Sequence, residues 1–200
     1  MRCLLAAIPF AALLVGCNPQ PDSALIGASR SGDTRAIAAL LAGGADPNQR
    51  WGVNGWTPLM HAIHKNQKGS VAALLTGGAD VNARAGSQGI TALILAAGYG
   101  YSGIVQLLLD KGADPRAETA GGDSALAAAV SGVPDIDKFT VGHCQNSTVA
   151  ALLHKAPDLK LKDNFYGRAA RLVARAAGCG SVIYLIDQAE RREHASRGGV

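Results

Sequence analysis

The sequence predicts an all-α solenoid of about five helix–turn–helix units, stacked side by side and joined by short finger loops. Three observations predict it. First, one phrase returns in fixed phase: Gly43-Gly44-Ala45-Asp46, Gly77-Gly78-Ala79-Asp80 and Lys111-Gly112-Ala113-Asp114, with 34 residues from Asp46 to Asp80 and 34 again to Asp114. Second, a helix-start phrase, Thr57-Pro58-Leu59, Thr91-Ala92-Leu93 and Ser124-Ala125-Leu126, keeps step with it at 34 and 33 residues. Periods in this range mark stacked repeats. Third, 48% of the residues are hydrophobic but only 4% aromatic, with Ala, Leu and Gly dominant. That composition suits close-packed short helices rather than a β-sandwich. It also excludes a disordered chain, and a net charge of +4 is too small to argue for nucleic acid.

Residues 1–16 read as an export signal outside the solenoid. Arg2 supplies the short positive start, and Leu4 to Val15 form an apolar stretch interrupted by Pro9. The stretch falls short of the roughly 17–25 residues that a spanning helix takes. It ends in Leu14-Val15-Gly16-Cys17, which resembles the bacterial lipobox, where small residues precede a cysteine that is lipidated and becomes the new N-terminus. Cys17 is therefore the expected lipidation site. The alternative is a plain secretory signal cut near Gly16, leaving Cys17 a free thiol. Residues 17–21 form a lipid-anchored linker, because Pro19 and Pro21 resist helix formation. Asn18, rather than Asp, after the cysteine implies by the same resemblance an outer-membrane destination. The expected location is the bacterial cell envelope, facing the periplasm.

The solenoid spans residues 22–190. Unit one runs from Asp22 to about Arg50, with Leu25, Ala28, Ile37 and Leu40 toward the core; unit two ends near Arg84 and unit three near Arg116. Within unit two, Thr57 offers its hydroxyl as a helix cap and Pro58 fits the first turn. Leu59 and Ala62 share a face, and after a turn near 66–69 a second helix carries a Val71, Leu74, Leu75 stripe. Gly77-Gly78 ends that helix through a left-handed residue, and Asp80 and Asn82 suit a tight turn into a finger. Such a unit cannot bury its own stripe, whereas stacked neighbours can. Unit four starts at Ser124-Ala125-Leu126 and resumes at Val149 to Leu153, closing on a degraded Lys155-Ala156-Pro157-Asp158; unit five is Arg168 to Ala177 and Val182 to Ile186. Degraded ends suit terminal caps. Residues 191–200, charged and ending in Gly-Gly-Val, are expected to form a flexible tail.

These phrases resemble the ankyrin repeat, with its T-P-L-H-x-A start, V-x-x-L-L second helix and G-A-D close. The resemblance covers about Asp22 to Ala189. Met60 stands where the family usually has His, so the family's histidine bond between repeats does not carry over. The resemblance implies a non-catalytic module that binds a protein partner through its fingers and concave helix face. Bacterial ankyrin proteins imply two uses here: immunity to a secreted toxin, or support of oxidative-stress defence, including periplasmic catalase.

Unit four departs from the pattern. Ala96 to Val105 spans nine positions, but the equivalent Ala129 to Val149 spans twenty, which places an insertion near 133–145. It holds Asp135, Asp137, Lys138, Phe139, His143 and Cys144. Insertions in repeats often form a binding face, although a long loop is also tolerated without a partner. If Cys3 leaves with the signal and Cys17 carries lipid, Cys144 and Cys179 remain for an oxidising compartment. Both fall before the second helix of their units, about one helix diameter apart, so they could pair; two unpaired thiols is the alternative.

The expected partner-binding residues are Arg50, Trp51, Asn54, Arg84, Gln88, Arg116 and Glu118 from the fingers, His61 and His64 from a helix face, and Phe139 and His143 from the insertion. Trp56, directly before Thr57, is read as packing. Gly98-Tyr99-Gly100-Tyr101-Ser102-Gly103 matches G-x-G-x-x-G, but it joins two helices rather than a strand and a helix, so no dinucleotide is expected. No catalytic constellation, metal set, cofactor or small-molecule substrate is read from the sequence. Arg168, Arg171 and Arg175 share one helix face, suited either to anionic lipid or an acidic partner, or simply to the solvated side of a cap.

Overall fold

A computed structural model describes residues 21–132 and 144–197, so residues 1–20, the insertion at 133–143 and residues 198–200 lie outside the description. The helices come in five pairs: α1 (Pro21–Ser31) with α2 (Thr34–Ala42), α3 (Pro58–His64) with α4 (Lys68–Thr76), α5 (Ala92–Gly98) with α6 (Ser102–Asp110), α7 (Ala125–Ser131) with α8 (Asn146–Lys155), and α9 (Phe165–Ala176) with α10 (Gly180–Arg197). The first helix of each pair packs on the first helix of the next, and α2, α4, α6, α8 and α10 do the same. The result is a two-layer stack of the expected five units, with its core running between the layers.

Local chemistry explains the boundaries. Thr57, Thr91 and Ser124 each cap the first helix of their unit by accepting from the backbone N–H three residues on, and Pro58 occupies the first turn of α3. The second helices stop before Gly44, Gly78 and Gly112, whose φ values of 91°, 92° and 86° place them in the left-handed region that L residues avoid. Asn66, between α3 and α4, is the one described non-glycine residue with such a φ, 57°, as its short polar side chain allows.

Leu25, Ile37, Leu59, Val71, Leu74, Leu93, Leu108, Leu126 and Leu152 are fully buried, which matches the repeat phrases that contain them. The α5 helix is buried along its entire length, because it lies between α3 and α7 and against α6.

Between the pairs, the fingers are hairpins. Trp51 bridges Trp56, Glu118 bridges Ser124, and the middle finger forms two short antiparallel strands, β1 (Arg84–Ala85) and β2 (Ile90–Thr91). The first two fingers run eleven positions, from Asp46 to Thr57 and from Asp80 to Thr91, against ten from Asp114 to Ser124, and the extra residue sits at the tip. Four residues, 52–55 and 86–89, close those hairpins, whereas in the third finger Thr119 already donates to the carbonyl of Asp123.

One boundary needs correction. The tail expected from Arg191 onward is helical as far as Arg197. The stretch Gln188 to Arg197 holds good helix formers and no glycine or proline, so α10 propagates to the edge of the Gly198-Gly199 pair. At the other end Pro21, expected in the linker, is already part of α1.

Candidate protein-binding surface

The fingers are tied to one another. The Arg50 guanidinium donates to the carbonyl oxygen of Arg84 at 2.5 Å, and Arg84, one repeat later, donates to that of Glu118 at 2.7 Å and of Gly89 at 3.2 Å. Glu118, one repeat later again, pairs with Lys162 at 2.6 Å. The backbone N–H of Ala120 also donates to the Gln88 carbonyl at 2.8 Å. Arg50, Arg84 and Glu118 thus hold the row of fingers together while remaining at its surface.

A second row ties the turns beneath the fingers. Asn48 donates to the Gly78 carbonyl and accepts from the N–H of Asp80; Asn82 repeats both contacts with Gly112 and Asp114. At the third equivalent position Arg116 replaces asparagine and meets both carboxylate oxygens of Asp158 at 2.7 Å. The pair is solvent-exposed, and each partner stabilises the charged form of the other: the Arg116 pKa is raised and that of Asp158 lowered, each first through their hydrogen bond.

The first finger ends in an apolar tip. Trp51 is 47% exposed and Val53 fully so, with Asn54 exposed beside them. Trp56 turns inward against the core, as a packing residue should. Its ring meets His61 and His64 edge-on at 5.6 and 5.5 Å; His64 lies 5.7 Å from Tyr99, which stacks on Tyr101 at 5.4 Å. The His64 Nδ1 and the Tyr99 hydroxyl are within hydrogen-bond distance at 2.9 Å. A continuous run of rings therefore leads from the first finger along α3 to the turn between α5 and α6. Of the aromatic residues of this finger Trp51 is the one exposed to a partner, whereas Trp56 packs against the core and Tyr99 is buried in it. His61 is neutral at pH 7: burial first, then the nearby Arg30 and His64 charges, bring its pKa down to about 4, and its Nε2 has no hydrogen-bond partner.

The residues expected at a binding surface fall on three fingers, one helix and the turns beneath. Arg50, Trp51, Asn54, Arg84, Gln88 and Glu118 lie in the finger row, His61 and His64 stand on α3, and Arg116 belongs to the row of turns below. Phe139 and His143 lie outside the described residues. Sequence reasoning missed Val53, the Asn48–Asn82 ladder and Asp123. The ladder had a signal, since positions 48, 82 and 116 share the 34-residue phase. Asp123 had none. Its carboxyl is driven up to about 6 by burial, partly offset by a bond from the Ser124 N–H, and it lines a cleft together with Tyr166 from the following unit.

At the far end of the stack, Cys144 and Cys179 are joined by a disulfide with their Cα atoms 5.2 Å apart. The bridge links the entry of α8 to the entry of α10. Arg168 pairs with Asp163, and Arg171 with Glu190, so two of the three α9 arginines are engaged within the terminal unit. Among the described residues, no three histidine, cysteine or acidic side chains converge, and no helix is long and apolar enough to cross a membrane.

Two family models match the sequence, one describing ankyrin repeats in three copies over residues 7–85 and one describing them in many copies over residues 74–129. Together they cover residues 7–129, more than half of the 200-residue chain. The chain belongs to the ankyrin-repeat family. The matches account for units one to three and the first helix of unit four, and the structure carries the ankyrin pairing of helices on through α8, α9 and α10. No curated protein matches the sequence. Ankyrin repeats generally mediate protein–protein interaction and are typically non-enzymatic, which agrees with a surface built from tied hairpins and rings.

Proposed function

We propose that this ankyrin chain is a non-catalytic adaptor of the bacterial envelope: residues 1–16 export it, a lipid on Cys17 holds it to the membrane, and the finger row faces the periplasm and grips one protein partner. The observation that carries the binding part is the exposed Trp51–Val53 tip of the first finger, held at its base by Trp56, which packs inward on His61 and His64. Interface anchors are typically aromatic, and here an exposed tryptophan sits beside an exposed valine at the hairpin tip. The export part is supported by the Leu14-Val15-Gly16-Cys17 ending. An exported location also suits a chain whose terminal unit is disulfide-bonded.

Two measurements test the two parts separately. In stoichiometric capture from envelope extract by the full chain, Trp51→Ala with Val53→Asp should reduce recovery of the partner at least tenfold while far-UV circular dichroism stays unchanged. Undiminished recovery would remove the finger tip from the site. For the anchor, the mature N-terminal peptide should begin at Cys17 and carry acyl groups by mass spectrometry, with Cys17→Ser releasing the protein from membranes. An unmodified Cys17 would defeat the lipoprotein assignment.

A further inference from the structure

Of the asparagines in the chain, only Asn54 is followed by a glycine, and the pair lies at the tip of the first finger. Asn54 is exposed, and its side-chain amide has no hydrogen bond to any described residue. Most of the other described asparagines are held. Asn48 and Asn82 have both ends of their amides in the ladder between turns, Asn146 accepts from Ser181, and Asn164 caps α9 while donating to the Gly122 carbonyl. Asn66 precedes Gln67, whose side chain crowds the backbone nitrogen beside it. Around Gly55 the space is open: a Cβ there would meet nothing within 4 Å. The Gly55 N–H donates to the Gly52 carbonyl at 3.0 Å, a bond at the exposed end of a hairpin, where local opening is easiest.

We propose that Asn54 is a site of self-modification: the folded chain deamidates there through a cyclic imide shared with Gly55. The reacting groups are neighbours in the chain, so the step is intramolecular and needs only positioning. The Gly55 backbone nitrogen loses its proton to solvent and bonds to Cγ of Asn54. The bond from Cγ to Nδ2 breaks, and Nδ2 takes up a proton and leaves as ammonia. The five-membered imide then consumes one water molecule. Opening at Cγ gives aspartate, and opening at the main-chain carbonyl gives isoaspartate, whose backbone runs through the side-chain carbons. The sum is amide plus water to carboxylic acid plus ammonia. Glycine at position 55 matters twice, because it has no side chain to screen the attacking nitrogen and its backbone moves freely. The product carries a carboxylate beside the exposed Trp51 and Val53. A neutral tip therefore becomes an anionic one as the protein ages.

The test incubates the freshly prepared full chain in water enriched in heavy oxygen and follows it by peptide mass spectrometry. The peptide holding residue 54 should gain the mass difference between amide and acid plus one heavy oxygen, and it should contain isoaspartate as well as aspartate. The rate should rise as the pH is raised into the mildly alkaline range, since the Gly55 nitrogen must lose its proton before it attacks. Peptides holding Asn48, Asn82 and Asn164 should react at least tenfold more slowly. Asn54→Gln, which keeps the amide but forces a larger ring, should abolish the change at position 54, and Gly55→Ala should slow it at least tenfold. An amide that stays intact at Asn54 in the folded chain would overturn the proposal. So would aspartate without isoaspartate, which marks direct hydrolysis with no imide, or equal reaction at the held asparagines. The wild-type time course needs neither a variant nor a partner, so its failure leaves the protein-binding reading standing, and failed partner capture leaves this site untouched.

Discussion

His61 and Asp123 are both strained by burial, but in opposite senses. His61 ordinarily titrates at 6.5 and is held at about 4, whereas Asp123 ordinarily titrates at 3.8 and is raised to about 6. Above pH 6.5 His61 is neutral whether folded or unfolded, and its contribution is complete. As the pH falls toward 4, the unfolded chain takes up a proton that the native site refuses, and stability is lost. Asp123 does the reverse: below about pH 6 the native carboxyl takes up a proton that the unfolded chain refuses until about 3.8, so stability rises on acidification and is lost again as the pH rises through 6. The two slopes oppose each other between about pH 4 and 6. Thermal melts across that range should fall more steeply in Asp123→Asn than in the wild type. They should flatten or rise in His61→Phe, which keeps an aromatic ring against Trp56. Parallel profiles for all three proteins would show that neither group is held as described. The caps at Thr57, Thr91 and Ser124 were legible in the sequence because each acts on a backbone only three residues away. The ionisation of Asp123 was not, because it is set by burial in the packed stack and not by any neighbour in the sequence.

At the scale of elements, two rows of side chains join neighbouring repeats, and they should differ in strength. Asn82 makes two bonds across the turn, donating to Gly112 and accepting from Asp114 at 3.1 and 2.9 Å. Removing both in Asn82→Ala should cost about 2 kcal/mol, at the usual net value of about 1 kcal/mol for each such bond. Arg116 and Asp158 form an ion pair with both side chains more than half exposed, so water and salt screen it. Arg116→Ala should leave the melting temperature unchanged. Urea unfolding of the two variants checks the contrast, and an equal loss would mean that the exposed pair matters more than its setting allows. Helix starts and stops were readable here because Thr-Pro-Leu and Gly-Ala-Asp encode a cap and a left-handed stop. The hairpin fingers were less so: each pairs only one or two residues across its own loop, with added support from the neighbouring finger, as in the bond from Ala120 to Gln88, so no run of strong strand residues marks them. The helical run of Arg191 to Arg197 was missed because its charges suggested a frayed tail, while the helix propensity of the same residues decided the outcome.

For the whole molecule, the order of the units followed from the 34-residue period, since a stack of hairpins has only one way to hide every apolar stripe. The junction of the last two units followed only in outline, because two cysteines on corresponding turns permit a bridge without requiring one. The bridge formed closes a loop across a sequence separation of 35 residues, for which chain entropy predicts about 4 kcal/mol as an upper figure. In a repeat array this stabilisation stays local, because each unit contacts only its neighbours. Reduction should therefore speed amide exchange in α8, α9 and α10 by at least tenfold while leaving α3 to α6 nearly unchanged. Uniform acceleration along the chain would mean that the stack unfolds as a single unit.

The ties running along the fingers have an evolutionary side. Arg50 and Arg84 both donate to main-chain oxygens, and every amino acid supplies one. A receiving loop can therefore change its side chains freely without loosening the grip of the loop before it. Mechanical coherence and surface identity are uncoupled in this design, so selection for a new target can rewrite the tips while the framework beneath stays in register.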